Sequence, residues 1–175
     1  MESNLWIANG LSAVTACFTI ASAWTKHPQR TYTYQVAQCL VYAVAAYFFG
    51  VYSCIVMMLI NALRNYLVSK QKFTGRLCVV FCAAAICLGL LFNQRGIIGL
   101  LSVFATVEYT VLSTLLKEAK AVKINVLTNL MVWFTYDCLF TDIFSGIVDG
   151  ASILLAALTL IRMLKEEKKK KEPHL

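Results

Sequence analysis

Residues 31–66, TYTYQVAQCLVYAVAAYFFGVYSCIVMMLINALRNY, decide how many helices this chain forms. One helix of this length would rise roughly 50 Å, well beyond the about 30 Å hydrocarbon core of a bilayer. We therefore predict two membrane spans, 31–49 and 50–66, joined by a tight turn near Gly50. The aromatic residues on both sides of that turn fit the interfacial belt of a membrane protein.

Five further apolar stretches complete a prediction of seven transmembrane helices: 5–24, 77–92, 97–116, 124–140 and 143–164. The chain is 59% hydrophobic and 14% charged, with a mean hydropathy of +0.69. Such a composition indicates a protein whose surface mostly faces lipid and which has no soluble domain. We expect an all-α, polytopic membrane protein, with residues 1–175 in a single membrane domain.

The positive charges are distributed very unevenly over this arrangement. Fifteen of the sixteen Lys and Arg residues, Arg64 and Lys123 among them, fall on one side, and Arg95 alone falls on the other. Since positive residues mark cytoplasmic loops, we predict an inner-membrane protein with its N-terminus outside and its C-terminus inside. Residues 165–175 form a basic cytoplasmic tail. The net charge of +7 then indicates contact with anionic membrane lipids and not with nucleic acid.

Spans one to three and five to seven look like two copies of one unit. Three aligned pairs support this: Arg64 with Arg162, Gln38 with Asn129, and Tyr42 with Trp133. A three-helix unit can recur in parallel only if an additional span inverts the chain between the copies. The sequence therefore predicts a 3+1+3 parallel repeat: repeat one at 5–66, an inverting helix at 77–92, and repeat two at 97–164.

Several features of the chain resemble the YgjV family of bacterial inner-membrane proteins: its length, the Gln38-to-Tyr42 helix, the Gly50 turn, the Asn61-xx-Arg64-Asn65 end of span three, and the Trp133-xx-Tyr136 helix. More distantly, the chain is similar to SWEET, SemiSWEET and PQ-loop transporters. That similarity implies two three-helix bundles with a substrate cavity between them. PQ-loop proteins carry a proline within the first helix of each repeat, whereas Pro28 and Pro173 lie outside the predicted spans. A proline hinge is therefore not expected.

Two acidic residues lie within predicted spans. Glu108 is near the centre of the fifth, where a carboxylate is costly unless it faces a cavity, finds a partner or takes a proton. It would serve in proton coupling or substrate binding, or it would only bond a neighbouring helix. Asp149 lies in the seventh span beside Gly146 and Gly150. Either it lines the cavity, or this GxxxG segment only packs helices closely.

The sixth span carries a stripe at helical spacing, formed by Asn129, Trp133, Tyr136 or Asp137, and Phe140. A midplane Trp with an amide one turn away could stack on a ring and orient it by hydrogen bonds. Alternatively, Trp133 only fills space. The second span repeats the pattern, with Gln35 added. We predict six substrate-binding residues: Trp133, Asn129, Tyr136, Gln38, Tyr42 and Asn61.

Patterns of enzymes, cofactor sites and metal sites are missing from the sequence. It has no HExxH segment, no glycine-rich phosphate loop followed by Lys, and no Ser-His-Asp set. The seven Cys residues lie within spans without a CxxC pair, as expected of packed thiols. We predict no enzymatic activity, no cofactor and no metal.

Together these features predict a small transporter or facilitator for a small polar metabolite, with alternating access between two three-helix bundles. The substrate would carry a ring if Trp133 stacks on it. The alternative is a non-transporting membrane protein that assembles with partners or lipids through its GxxxG segment and Lys-rich tail. Homo-oligomerisation stays open, as does the identity of the substrate.

Overall fold

The computed structural model describes residues 2–48, 52–93, 96–140 and 143–171. These residues form seven helices and no strand: α1 (Glu2–Trp24), α2 (Pro28–Phe48), α3 (Tyr52–Ser69), α4 (Gly75–Leu91), α5 (Gly96–Leu115), α6 (Ala119–Phe140) and α7 (Ile143–Lys171). The prediction of an all-α chain with seven helices is confirmed, with similar boundaries. The predicted turn at Gly50 and the lone outer charge of Arg95 lie outside the described residues.

Two segments are long and apolar enough to cross a membrane by length and composition, Trp6–Trp24 and Gly146–Lys168. The apolar parts of α3, α4 and α5 are shorter, at Cys54–Ser69, Gly75–Leu91 and Leu100–Leu115. Polar residues interrupt the apolar character of α2 and α6, and three of them, Thr31, Lys123 and Asn125, are buried in the bundle. This placement of polar side chains determines where a functional site can lie.

The turn between α3 and α4 shows how the local sequence sets a helix end. Gln71 adopts a left-handed conformation, with φ of 57°, just past the end of α3. Its N–H donates to Val68 O, and Lys72 N–H donates to Leu67 O, each at 2.9 Å, which is the Schellman pattern. Thr74 then caps α4 by accepting a hydrogen bond from the Leu77 N–H. The chain reverses direction here within a few residues.

The helices close into a ring in chain order. Each helix packs against the next, and α7 packs against α1. Across the interior, α3 contacts α5, and α6 contacts both α1 and α2. Within the described residues the backbones of α1 and α3 are not in close contact, nor are those of α5 and α7. The middle helix of each predicted three-helix unit, α2 or α6, therefore lies between its two neighbours.

Burial in this bundle is reversed relative to a soluble protein. Large apolar side chains face outward, among them Val79 at 70% exposure, Leu91 at 74% and Leu115 at 69%. The interior is filled by small residues such as Ala105 and Ala156, and by Ser, Thr and Asn side chains. In lipid, helices associate through small residues and polar contacts because apolar burial gains little there. The pattern is that of a membrane bundle.

One end of the bundle carries the basic loops 25–27, 70–74 and 116–118 together with the extension of α7, and we call it the basic end. Glu166 and Glu167 on that extension form ion pairs with Lys26 and Lys120, respectively. Exposed ion pairs of this kind contribute little free energy. They do place the first loop, the start of α6 and the tail on one side, as the charge distribution predicts.

Lys123 departs from its predicted position. The charge count assigns it to a cytoplasmic loop, but it lies in the second turn of α6 and is only 2% exposed. Its Nζ donates to Ser22 O and Ala23 O at 2.9 Å each. These carbonyls belong to the last turn of α1, where the helix dipole favours a cation and free acceptors are available. Lys123 therefore joins the second three-helix unit to the first.

Orientation in the membrane can be tested at Lys117, in the loop between α5 and α6. In Lys117→Cys, a water-soluble, membrane-impermeant maleimide should label only inside-out vesicles, because the basic end is expected to face the cytoplasm. Labelling is read as a mass shift of the purified protein. The parent chain is the control, since its own thiols lie in the helices. Labelling at this position in intact spheroplasts would contradict the predicted orientation and indicate the opposite one.

Candidate functional site

A layer of polar side chains crosses the interior about 6–10 Å from the basic end, judging from helix rise. Tyr32 lies four residues after the start of α2, and Arg64 lies five residues before the end of α3. On α5, Glu108 lies seven residues and Tyr109 six residues before the end of the helix. The residues of this layer therefore come from three helices, α2, α3 and α5.

Arg64 is the central cation of this layer and is only 4% exposed. Its Nε and Nη2 donate to Asn65 Oδ1 at 3.2 and 3.0 Å. Its Nη1 donates to Thr110 Oγ1 at 2.9 Å and to Thr106 O at 3.3 Å. The guanidinium thus ties α3 to α5 entirely through neutral acceptors. Within the described part of the chain, no carboxylate lies within 4 Å of it.

Two tyrosines and an amide surround this cation. The Arg64 Cζ lies 4.7 Å from the centroid of the Tyr109 ring, in cation–π geometry. Tyr109 donates its hydroxyl to Gln35 Oε1 at 2.8 Å, which links α5 to α2. The Tyr32 ring meets the Tyr109 ring edge to face, with centroids 6.3 Å apart. Arg64 also interacts electrostatically with Tyr32.

Glu108 lies on α5 next to Tyr109, and its side chain approaches α6. Both carboxyl oxygens are buried, and neither has a hydrogen-bond partner. The Asn129 amide on α6 lies close enough to interact with it, and the charge of Arg64 also acts on it. Asn129, however, donates its Nδ2–H to Ala105 O at 2.8 Å. The structure therefore places Glu108 inside the protein, as expected, but without a fixed partner.

Other buried polar atoms of the interior also have no hydrogen-bond partner. Buried side-chain atoms without a hydrogen-bond partner occur on five helices: Tyr32 Oη, Asn61 Oδ1, both Glu108 oxygens, Asn125 Oδ1 and Nδ2, and Ser152 Oγ. Each such group costs free energy unless something in the functioning protein satisfies it. Several of them lie at or near the depth of the Arg64 layer. This makes the interior capable of binding a polar ligand.

The two predicted amide–aromatic pairs occupy equivalent positions on the middle helices. Gln38 and Asn129 each lie ten residues after the start of their helix, α2 or α6, and Tyr42 and Trp133 each lie fourteen. All four side chains are half-buried, and α2 contacts α6. Trp133 packs edge to face on Tyr136, with centroids 5.5 Å apart. These residues lie farther from the basic end than Arg64 does.

The remaining predicted residues are distributed as follows. Asn61 is 7% exposed and lies one turn before Arg64 on α3, so the structure joins it to the polar layer. Asp149 is half-buried on α7, and the Asp137 side chain lies outside the described residues. Gly150 faces Phe134 of α6, since a Cβ there would lie 3.5 Å from that ring. The described part of the GxxxG segment therefore packs within the bundle.

Sequence reasoning did not recognise Arg64 as a site residue. It counted Arg64 as a cytoplasmic charge at a helix end, whereas the structure buries it one turn inside α3. The signal was its setting in Asn61-Ala62-Leu63-Arg64-Asn65, where two amides flank an arginine within an apolar helix. Asn125 and Ser152 were also missed, because a single small polar residue in a span is most often a packing contact.

Arg162, the predicted counterpart of Arg64, makes a related but weaker contact. Its Cζ lies 4.4 Å from the centroid of the Trp24 ring on α1. Thr159, one turn earlier, donates its hydroxyl to Trp24 O at 3.4 Å. Arg162 is exposed, however, and Arg64 is buried. The two arginines therefore join corresponding helix pairs, α7 with α1 and α3 with α5, in different environments.

Metal and thiol chemistry find no support within the described residues. No group of three or more His, Cys, Asp or Glu side chains in that part of the chain could hold a metal ion. All seven cysteines are free thiols, and Cys39 is buried near Arg64. The chemistry of the layer is therefore that of a cation, tyrosine hydroxyls, amides and one carboxyl.

Comparison with known proteins adds one match. The family model Imp-YgjV, described as a bacterial inner membrane protein, matches residues 6–167, which is nearly the whole chain. Comparison with curated proteins and with solved structures finds no match.

Removal of Arg64 should destabilise the protein far more than removal of Arg162. Arg64→Met deletes four hydrogen bonds and leaves the buried Asn65 Oδ1 without its donors, at an expected cost of about 2–4 kcal/mol. Arg162→Met deletes an exposed cation–π contact, at about 1 kcal/mol or less. Thermal unfolding of both variants in detergent micelles measures the difference. Equal losses would mean that Arg64 is not a structural tie between α3 and α5.

Proposed function

We propose that this chain, which belongs to the Imp-YgjV family of bacterial inner membrane proteins, is a small transporter or facilitator for a small polar metabolite. One observation carries the proposal: five helices direct buried polar atoms without partners into the bundle, and large apolar side chains face outward. In a membrane protein such interior groups are costly and mark the path of a polar substrate or ion.

The arrangement of the helices supports two bundles that move against each other. Helices α1–α3 and α5–α7 each pack in chain order, with α2 and α6 in the middle. The contacts between the two sets also correspond, α3 with α5 on one side and α7 with α1 on the other. We infer a parallel repeat about an axis along the membrane normal, with α4 as the inverting helix.

Alternating access would then open and close contacts at the basic end. Arg64 joins α3 to α5 there, and Lys123 joins α6 to α1. Both links cross from one bundle to the other, so opening toward the cytoplasm requires them to break. Four side chains lie farther from the basic end: Gln38, Tyr42, Asn129 and Trp133. A substrate that enters from the end opposite the basic end would meet them before it reaches Asn61 and Glu108.

Glu108 has two alternative roles in this proposal, substrate binding and proton transfer, and the geometry fits either. Its unpartnered carboxyl oxygens can accept a hydrogen bond from a donor group of the substrate. Alternatively, the carboxyl takes up and releases a proton as its surroundings change between the two states of the transporter. Asp149, half-buried on α7, is the second candidate for either role.

The alternative, a non-transporting assembly protein, receives less support. Its proposed partner surface includes Gly150, which is already opposed by Phe134 of the same chain. A structural role also gives no reason to keep unpartnered Tyr32, Asn61 and Glu108 atoms inside the bundle. Lipid contact through the basic tail is compatible with either function.

Transport should be measurable with purified protein in proteoliposomes. A thermal-shift screen against metabolites first selects ligands, because a ligand that binds only the folded state raises the melting temperature. The selected compound, radiolabelled, should then enter vesicles that contain the protein and not empty vesicles.

Trp133→Ala should weaken binding of this compound roughly tenfold or more if the indole stacks on the substrate. Trp6→Ala is the control, because Trp6 is 78% exposed. Binding without uptake in parent vesicles would contradict the transport proposal.

Glu108→Gln isolates the charge of this residue from its shape. If Glu108 couples a proton to transport, uptake by the parent rises as the external pH falls, and uptake by Glu108→Gln is independent of pH. Initial rates at several external pH values measure this, and Glu118→Gln, in the exposed loop after α5, is the control. Identical pH profiles for Glu108→Gln and parent would assign Glu108 a binding or structural role instead.

A further inference from the structure

Among the residues that the structure describes, no carboxylate lies within 4 Å of the buried charge of Arg64. The nearest protein acceptors are an amide oxygen, a hydroxyl and a backbone carbonyl, all neutral. Arginine keeps its charge in proteins. Neutral acceptors and the Tyr109 ring reduce the cost of burying this cation, but they do not neutralise it. A bound anion would provide the missing charge.

The guanidinium also has a donor left over. It carries five N–H groups, and four of them are used in bonds to Asn65, Thr106 and Thr110. The remaining N–H belongs to Nη2. A carboxylate or phosphate oxygen is the acceptor that binds a guanidinium N–H most strongly.

A second buried donor without a partner belongs to the same layer. Tyr32 is 3% exposed, and its buried hydroxyl has no hydrogen-bond partner. The rings of Tyr32 and Tyr109 are in contact, and Arg64 lies over the Tyr109 ring. The Tyr32 hydroxyl and the free Arg64 N–H therefore belong to one compact group of side chains. Two such donors match the two oxygens of one carboxylate.

We propose that Arg64 and Tyr32 bind the carboxylate of the transported metabolite, so that the substrate is a small organic monoanion; this inference rests on the transport function proposed above. A single negative charge fits this site, because Arg64 is one cation and all of its hydrogen-bond acceptors are neutral. The other buried cation, Lys123, is occupied by the carbonyls of α1. A phosphate dianion would therefore bring one charge too many.

The position of the pair also fits a substrate path. Asn61, whose Oδ1 has no partner, lies one turn farther from the basic end than Arg64. A carboxylate held by Arg64 leaves the rest of the molecule to extend toward Asn61 and toward the amides of the middle helices.

The experiment compares carboxylates with neutral analogues of the same shape. Benzoate and acetate are titrated into the purified, detergent-solubilised protein, with benzamide and acetamide as matched controls, and the melting temperature is recorded. Lactate and formate extend the carboxylate series. At concentrations up to about 10 mM, which detects Kd values in the millimolar range, at least one carboxylate should raise the melting temperature saturably. Its amide should not.

Two variants then locate the site. Tyr32→Phe should leave the melting temperature of the free protein unchanged, because the hydroxyl makes no bond in it, and should weaken carboxylate binding about three- to tenfold. Arg64→Lys keeps the charge but loses the planar fork, and should weaken binding more than tenfold. Arg162→Lys is the matched control and should bind as the parent does. Tyr32→Phe keeps the test valid if Arg64→Lys does not fold.

Three results would overturn the proposal: no carboxylate in the series stabilises the protein, the amides stabilise it equally, or Tyr32→Phe binds the carboxylate as tightly as the parent. Uptake of the bound carboxylate into proteoliposomes separates this proposal from the transport function. Site-dependent binding without uptake would keep the anion site and contradict transport. Uptake of a neutral metabolite by a protein that binds no carboxylate would keep transport and contradict the anion site.

Discussion

A charged side chain inside a membrane bundle needs polar partners within the bundle, and the position of Arg64 follows from this requirement. Its guanidinium uses acceptors from α3 itself and from α5, and it lies over the ring of Tyr109. Tyr109 in turn bonds Gln35 on α2. One cation thus fixes the relative positions of three helices, and the polar layer surrounds it.

The same requirement explains the second link at the basic end. Lys123 satisfies its ammonium group with carbonyls that the last turn of α1 cannot pair internally. Each link joins a helix of one three-helix unit to a helix of the other. Because both are polar and lie at the same end, they can break and reform at moderate cost once water or a ligand replaces them.

Buried polar atoms without partners continue from the Arg64 layer toward the middle of the bundle. Tyr32 and Glu108 have such atoms within the layer, and Asn61 has one a turn deeper. Glu108 and Arg64 approach different neighbours around α5, and no ion pair forms between them. The described residues therefore keep a cation and a carboxyl of the interior apart from each other.

The sequence by itself determined the class of protein, the seven helices and their approximate ends. These follow from hydropathy, from the turn that divides residues 31–66, and from the short polar loops, all of which are local properties of the chain. The family is confirmed by the match over residues 6–167, and short motifs such as Asn61-xx-Arg64-Asn65 were enough to suggest it. Glu108 was recognised because an acid in a span is rare.

Only the tertiary structure decided which polar groups meet. Arg64 and Lys123 lie within two turns of a helix end, and from sequence such residues are counted as loop charges. Whether they turn into the bundle or toward water depends on acceptors from α5 and α1, which are distant in the chain. Likewise, the sequence does not distinguish Tyr32 from the other aromatic residues of α2. Only the folded structure places it against Tyr109, whose ring also contacts Arg64. The candidate anion site exists only in the packing of α2, α3 and α5, because its donors come from separate helices.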